Sequence, residues 1–256
     1  MTPVAENVIR LLAPYSEGCR LASEHGPTSG VVFEYACLNQ PHGSGALGRW
    51  IDRTFLHLAA WDNLRQRVGL TRGIIAELVG ERRATGLPTV ILDISSGTAR
   101  YLRQFVRDHG GDDLQVVCRD RDPRQVMHGR ELSDREGLHR ISFSVGDATD
   151  HASYLTDVDP NLVLATGLFP QLQRDEAVRM VLRLTFEHLT PGGYFVCTTV
   201  TDPEAQLYPW ETGFWSPAAV RSSEVVASWL RATGFVDVDA RAGAADTFLI
   251  ARKPED

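Results

Sequence analysis

The sequence predicts an α/β fold built on a doubly wound, mostly parallel sheet of seven strands, preceded by an N-terminal helical lid. Three observations carry this. After Pro88, short apolar runs alternate with longer helical stretches, which is the rhythm of strand–helix–strand units. Thr89-Val90-Ile91-Leu92-Asp93 is apolar without alternation, as a strand covered on both faces of a parallel sheet must be. Before residue 87 the apolar positions recur at three- and four-residue spacing, which is helical.

These observations divide the chain into an N-terminal helical element, 1–87, and a sheet domain, 88–256. In the first part, helices are expected over 3–13 and 16–24. Breaks follow at His25-Gly26-Pro27-Thr28-Ser29-Gly30 and at Pro41-His42-Gly43-Ser44-Gly45, and a long helical stretch runs from Leu47 to about Arg83. In the second part, strands are expected at 89–93, 114–118, 141–145, 161–166, 194–199, 235–240 and 247–252. Helices are expected from about 99 to 109, from 123, from 174 to 189 and from 222 to 233. Residues 200–221 read as a Pro- and Trp-rich loop. Ligands of such sheets bind at the carboxyl ends of the strands, near the switch in strand order.

The chain has 256 residues, 43% hydrophobic and 23% charged, the composition of an ordinary folded protein. A formal net charge of −7 argues against general affinity for nucleic acid or anionic lipid, and the expected partner is a small molecule. The expected assembly is a monomer or homodimer. Cys19, Cys37, Cys118 and Cys197 are too far apart in sequence for a metal knuckle or a redox pair, so no metal is expected. The N-terminal residues lack the apolar core of a signal peptide, and the expected location is cytoplasmic.

Chemistry concentrates at the strand ends. Asp93-Ile94-Ser95-Ser96-Gly97-Thr98-Ala99-Arg100-Tyr101 is a strand end, a small-residue turn and a helix start, where a ligand can approach the backbone closely. The dinucleotide pattern fails, because its glycine positions fall on Ser95, Gly97 and Arg100. The other reading is a tight turn with no ligand. Asp120, 23 residues after Gly97, closes the second strand within Cys118-Arg119-Asp120-Arg121-Asp122-Pro123. A carboxylate there can accept hydrogen bonds from two ribose hydroxyls; the other reading is a solvated charge run. Val145-Gly146-Asp147-Ala148 closes the third strand, where Asp147 is either an adenine acceptor or turn chemistry. Thr166-Gly167-Leu168-Phe169-Pro170 closes the fourth.

In order and spacing, DISSGTA, CRDRDP, VGDAT, NLVLATG and HLTPGGYFV resemble the class I S-adenosylmethionine-dependent methyltransferases, whose core is Rossmann-like; the match runs from Leu92 to about Arg252. DISSGTARY, TGLF, GRWIDRTFL and LRQR further resemble a bacterial group of methyltransferases that are sometimes fused to a hydrolase domain. The resemblance implies S-adenosylmethionine as cofactor. It places Asp93, Ser95, Gly97 and Ala99 along the methionine part, with Ser95 and Ala99 standing where the family has glycines. It puts Asp120, with Arg121 beside it, at the ribose, Asp147 and Ala148 at the adenine, and Thr166 and Gly167 facing the sulfonium and amino group.

The implied reaction is in-line methyl transfer to a small-molecule acceptor, which needs alignment and dryness more than a catalytic triad. One alternative keeps the cofactor but transfers or cyclises its aminocarboxypropyl arm, releasing methylthioadenosine; another is a non-catalytic cofactor-binding scaffold. Acceptor-side candidates are Tyr35, Trp50 and Arg67 in the helical part and Tyr208, Trp210 and Trp215 in the loop after the fifth strand. Arg65 is a second candidate cation for a cofactor or substrate carboxylate.

Overall fold

The computed structural model describes residues 3–27, 29–200 and 219–255. These fall into two compact units, one formed by residues up to Val68 and the other by residues from Gly69 onward.

The first unit is helical: α1 (Pro3–Leu12), α2 (Glu17–His25), α3 (Gly30–Leu38), α4 (Gly45–Leu56) and the start of α5 (Ala59–Ala84). The long stretch expected from Leu47 to Arg83 is two helices. The break falls at His57-Leu58, where Arg65 donates to the terminal carbonyl of Leu56 at 3.0 Å and to Ala36 O at 2.7 Å. α3 has no counterpart among the expected helices. Ser29 caps its start, accepting from Val32 N, and Asn39 closes it in the left-handed conformation. Ile9, Cys19, Ala22, Val32, Ala36, Trp61 and Leu64 form this unit's core.

The second unit contains β1 (Thr89–Asp93), α6 (Arg100–His109), β2 (Leu114–Asp120), α7 (Pro123–Arg135), β3 (Ile141–Val145), β4 (Leu162–Ala165), α8 (Asp175–His188), β5 (Tyr194–Val200), α9 (Ser223–Thr233), β6 (Val236–Ala242) and β7 (Asp246–Arg252). The sheet order is β3-β2-β1-β4-β5-β7-β6, a seven-stranded Rossmann-like sheet. β1 to β5 pair in parallel, while β7 runs antiparallel to both β5 and β6. The order reverses between β1 and β4, so a crevice forms where their carboxyl ends diverge. β1, β4 and β7 are buried almost throughout, which explains their apolar runs over 90–92, 162–165 and 248–251. The remaining segment of α5 is tied to this unit by ion pairs, Arg72 to Asp108 at 2.6 Å and Arg83 to Asp113 at 2.5 Å.

Candidate active site at the carboxyl edge of the sheet

β1 delivers Asp93 to the switch point, where the chain leaves the sheet for the 94–99 turn. Asp93 is 0% exposed. Its Oδ1 accepts from Ser95 N at 3.0 Å, and its Oδ2 accepts from the Tyr101 hydroxyl in the first turn of α6. Burial pushes this carboxyl up to about 7, against the opposing effect of both bonds. Asp93 therefore braces the turn from beneath, and its carboxylate is not itself a surface of the crevice.

The turn has two left-handed residues, Gly97 at φ +54° and Ala99 at φ +54°. A Cβ placed on Gly97 would meet nothing within 4 Å, so the glycine faces open space. This is the geometry of a backbone cradle, where the absent side chain leaves room for a ligand. Ala99 is fully buried and carries a methyl in a conformation that costs an L-residue about 1 kcal/mol or more. Arg103, buried in α6 and paired with Glu136, donates from Nε to Thr98 O at 3.1 Å and holds this turn closed.

Asp120 closes β2 and points back at the same turn: Oδ2 accepts from Gly97 N at 2.8 Å and Oδ1 from Asp122 N at 3.0 Å. Burial raises its pKa, and these two backbone bonds, with a smaller effect from Arg121, partly offset that rise. Each oxygen accepts one backbone bond and has a further lone pair for a ligand hydroxyl. Asp147 is exposed at the end of β3; its Oδ1 accepts from both the amide and the hydroxyl of Thr149, which lowers its pKa. Ala148 lies behind it, its carbonyl accepting from Tyr154. Thr166 follows β4 and donates to the Tyr101 hydroxyl at 3.2 Å. Gly167, at φ +76°, donates its amide to Thr198 Oγ1 on β5 at 2.7 Å.

Asp93, Gly97, Asp120, Thr166 and Gly167 thus belong to one edge of the sheet, linked through Tyr101 and the turn. Tyr101 was not among the expected site residues. The available signal was a polar aromatic eight residues after a strand-end carboxylate, on the inward side of the first helical turn. Thr198 was also missed, since a threonine inside an apolar strand reads as a β-branched core residue.

Of the expected acceptor-side residues, Tyr35 is buried and donates its hydroxyl to Asp52, so its polar atom is committed within the first unit. Trp50 is 63% exposed on α4. Arg67 is half-buried on α5. Arg65 is committed to Ala36 O, Leu56 O and Asp62. Tyr208, Trp210 and Trp215 lie outside the described residues. Among the described residues, no group of three or more His, Cys, Asp or Glu side chains is placed to hold a metal ion, and no helix is long and apolar enough to cross a membrane.

Residues 3–208 match the model of the family described as "Putative methyltransferase". The chain belongs to that family. A curated relative, the uncharacterized protein YnbC of Escherichia coli K12, is 30% identical over 193 residues, 74% of this chain and 33% of that protein. The chain therefore spans about a third of the length of the curated relative it matches. Among solved structures, a possible exported protein from Bordetella parapertussis superposes with a TM-score of 0.65 at 18% identity, covering 99% of both chains. The N-methyltransferase NodS from Bradyrhizobium japonicum, in complex with S-adenosyl-L-homocysteine, superposes with a TM-score of 0.55 at 16% identity, covering 75% of this chain and 88% of NodS. These likenesses show a shared fold.

Proposed function

We propose that this family member is an S-adenosylmethionine-dependent methyltransferase acting on a small-molecule acceptor. The observation that carries the reading is a pair of carboxylates, the buried Asp93 and the half-buried Asp120, bracketing an open glycine cradle at Gly97. A phosphate at this turn would lie beside Asp120 and above the sealed Asp93, two acidic groups already disfavoured as anions by burial. A ligand joining ribose hydroxyls to a cationic centre meets the opposite electrostatics. S-adenosylmethionine is such a ligand, and NodS, of the same fold, is a methyltransferase solved with its demethylated product.

The residues fit the group. Asp120 would accept the ribose hydroxyls, with Arg121 beside it. Asp147 and Ala148 would meet the adenine. The backbone of Ser95, Gly97 and Ala99 would line the methionine part, and Thr166 and Gly167 the opposite wall. The cofactor supplies an electrophilic methyl group with a neutral leaving group. The protein's part is to align the acceptor with it and exclude water. On the acceptor side, Trp50 and Arg67 of the helical N-terminal part, together with Tyr208, Trp210 and Trp215, remain in this proposal on their residue chemistry, an aromatic and cationic set suited to a small organic acceptor.

Two measurements test the reading. Asp120→Ala should weaken S-adenosylmethionine binding about tenfold or more in calorimetry, because buried hydroxyls lose a charged acceptor; unchanged affinity would remove the ribose assignment. Turnover with a panel of small acceptors should release S-adenosylhomocysteine. Release of methylthioadenosine would replace methyl transfer with transfer of the aminocarboxypropyl arm. Tight binding with no product across the panel would favour a binding scaffold.

A further inference from the structure

A file of three hydrogen-bonded side chains runs inward from the β1–β4 crevice. Thr166, half-buried after β4, donates from Oγ1 to the Tyr101 hydroxyl at 3.2 Å. Tyr101, 9% exposed, donates to Oδ2 of the fully buried Asp93. Both donors point the same way, so the file begins at a hydroxyl beside the crevice and ends on a carboxylate that water does not reach. Packing alone does not require this arrangement, since a phenylalanine at 101 and a valine at 166 would occupy nearly the same space.

Resting on the methyltransferase reading above, we propose that Asp93 is the proton sink of the transfer, reached from an acceptor X–H group through Thr166 and Tyr101. The acceptor's lone pair forms the bond to the methyl carbon, and the electron pair of the S–CH3 bond stays on sulfur. The X–H proton passes to Thr166 Oγ1, the Thr166 proton to the Tyr101 oxygen, and the Tyr101 proton to Asp93 Oδ2. A sulfonium cation and a carboxylate are present before the step; a neutral thioether and a neutral carboxylic acid remain after it. Both charges vanish together in a buried site, where either one alone is costly to keep. The acceptor class follows: a hydroxyl, thiol or N–H group, because a tertiary amine or thioether has no proton to hand over.

The surroundings suit this role. Asp93 is faced by Tyr101 from α6, by the Ser95 amide of the turn and by Cys118 and Asp120 from β2, while Thr166 after β4 reaches it through Tyr101; Arg103 and Arg119 act on the neighbouring Cys118. Burial, with a smaller contribution from Asp120, brings the carboxyl to about 7, near the value at which a proton acceptor works best at neutral pH. Burial holds the Tyr101 phenol well above 10, so it transmits a proton and does not rest as a phenolate.

The test needs no known acceptor. Affinities for S-adenosylmethionine and S-adenosylhomocysteine are measured by calorimetry across the neutral range for the wild type, Asp93→Asn and Tyr101→Phe. In the wild type, the preference for the cationic ligand should grow about tenfold as pH rises through the Asp93 titration. In Asp93→Asn this growth should vanish. In Tyr101→Phe its midpoint should move upward, because a bond that favours the carboxylate is gone. The ligands' own amino groups titrate alike in all three proteins and cancel in the comparison. Identical pH trends in the wild type and Asp93→Asn would overturn the proposal. If Asp93→Asn does not fold, an unmoved midpoint in Tyr101→Phe would do so. Failure of folded wild type to bind S-adenosylmethionine at any pH would instead remove the methyltransferase reading itself.

Discussion

Gly97 and Asp93 do opposite jobs at one turn: the first leaves space above it, the second fills the space beneath. Gly97→Ala adds a methyl group in a left-handed conformation with nothing to touch. The folding penalty should be about 1 kcal/mol, read as a fall of a few degrees in Tm. Ala99 shows that this turn tolerates such a penalty, since it has the same φ. Cofactor affinity should fall by more than stability does, because the added methyl projects into the cradle. Equal losses in calorimetry and thermal melts would mean that no ligand approaches there.

The Asp93 carboxyl also leaves a mark on stability. It ionises near 7 in the folded chain, against about 3.9 for a carboxyl in an unfolded one. The folded state therefore holds this proton more tightly, and the stability it contributes is full below about pH 4 and lost as pH rises through 7. Asp120, also raised by burial, acts in the same direction. Asp93→Asn, which has no proton to lose, should flatten a decline of a few kcal/mol in urea unfolding between about pH 4 and pH 7. A parallel pH dependence in wild type and variant would contradict the burial of this carboxylate as an ionisable group.

At the scale of elements, the helical unit is organised by a single buried carboxylate. Asp52 of α4 is 0% exposed and accepts from Ser16 Oγ at 2.7 Å, Gly18 N at 2.8 Å, His42 N at 2.8 Å and the Tyr35 hydroxyl. It thereby fixes the start of α2, the side of α3 and the 39–44 turn to α4. Asp52→Ala would strand four buried or half-buried donors and should destabilise this unit by about 3 kcal/mol or more, followed by the near-ultraviolet signal of Trp61 and its neighbours. A loss under about 1 kcal/mol would show that water replaces the carboxylate. In the sequence, Asp52 is one charge among the arginines of a helical stretch, and its four partners are up to 36 residues away. α3 escaped for a related reason. Gly30–Leu38 is a short apolar run with little periodicity, which does not distinguish a buried helix from a strand. The α4–α5 break escaped because His57-Leu58 contains no Pro or Gly; a long-range bond from Arg65 stabilises it.

At the scale of the whole molecule, the sheet was legible because β1, β4, β5 and β7 each contain an apolar run of three or four residues and the turns between elements contain Gly, Pro and Asp. The strand-end positions of Asp93, Asp120, Asp147 and Thr166 followed from that alternation. What each side chain touches did not. That Asp93 is sealed beneath the turn by Tyr101 depends on packing between β1, α6 and β4, which no local pattern records. The chain's place in a methyltransferase family agrees with the strand order reversing between β1 and β4, where Asp93 and Asp120 flank Gly97.

Equilibrium dialysis of the folded protein against radiolabelled S-adenosylmethionine, beside nicotinamide and flavin dinucleotides, tests the central claim most directly. Retention of S-adenosylmethionine alone is the expected result. Retention of a phosphate-bearing dinucleotide without S-adenosylmethionine would contradict the account.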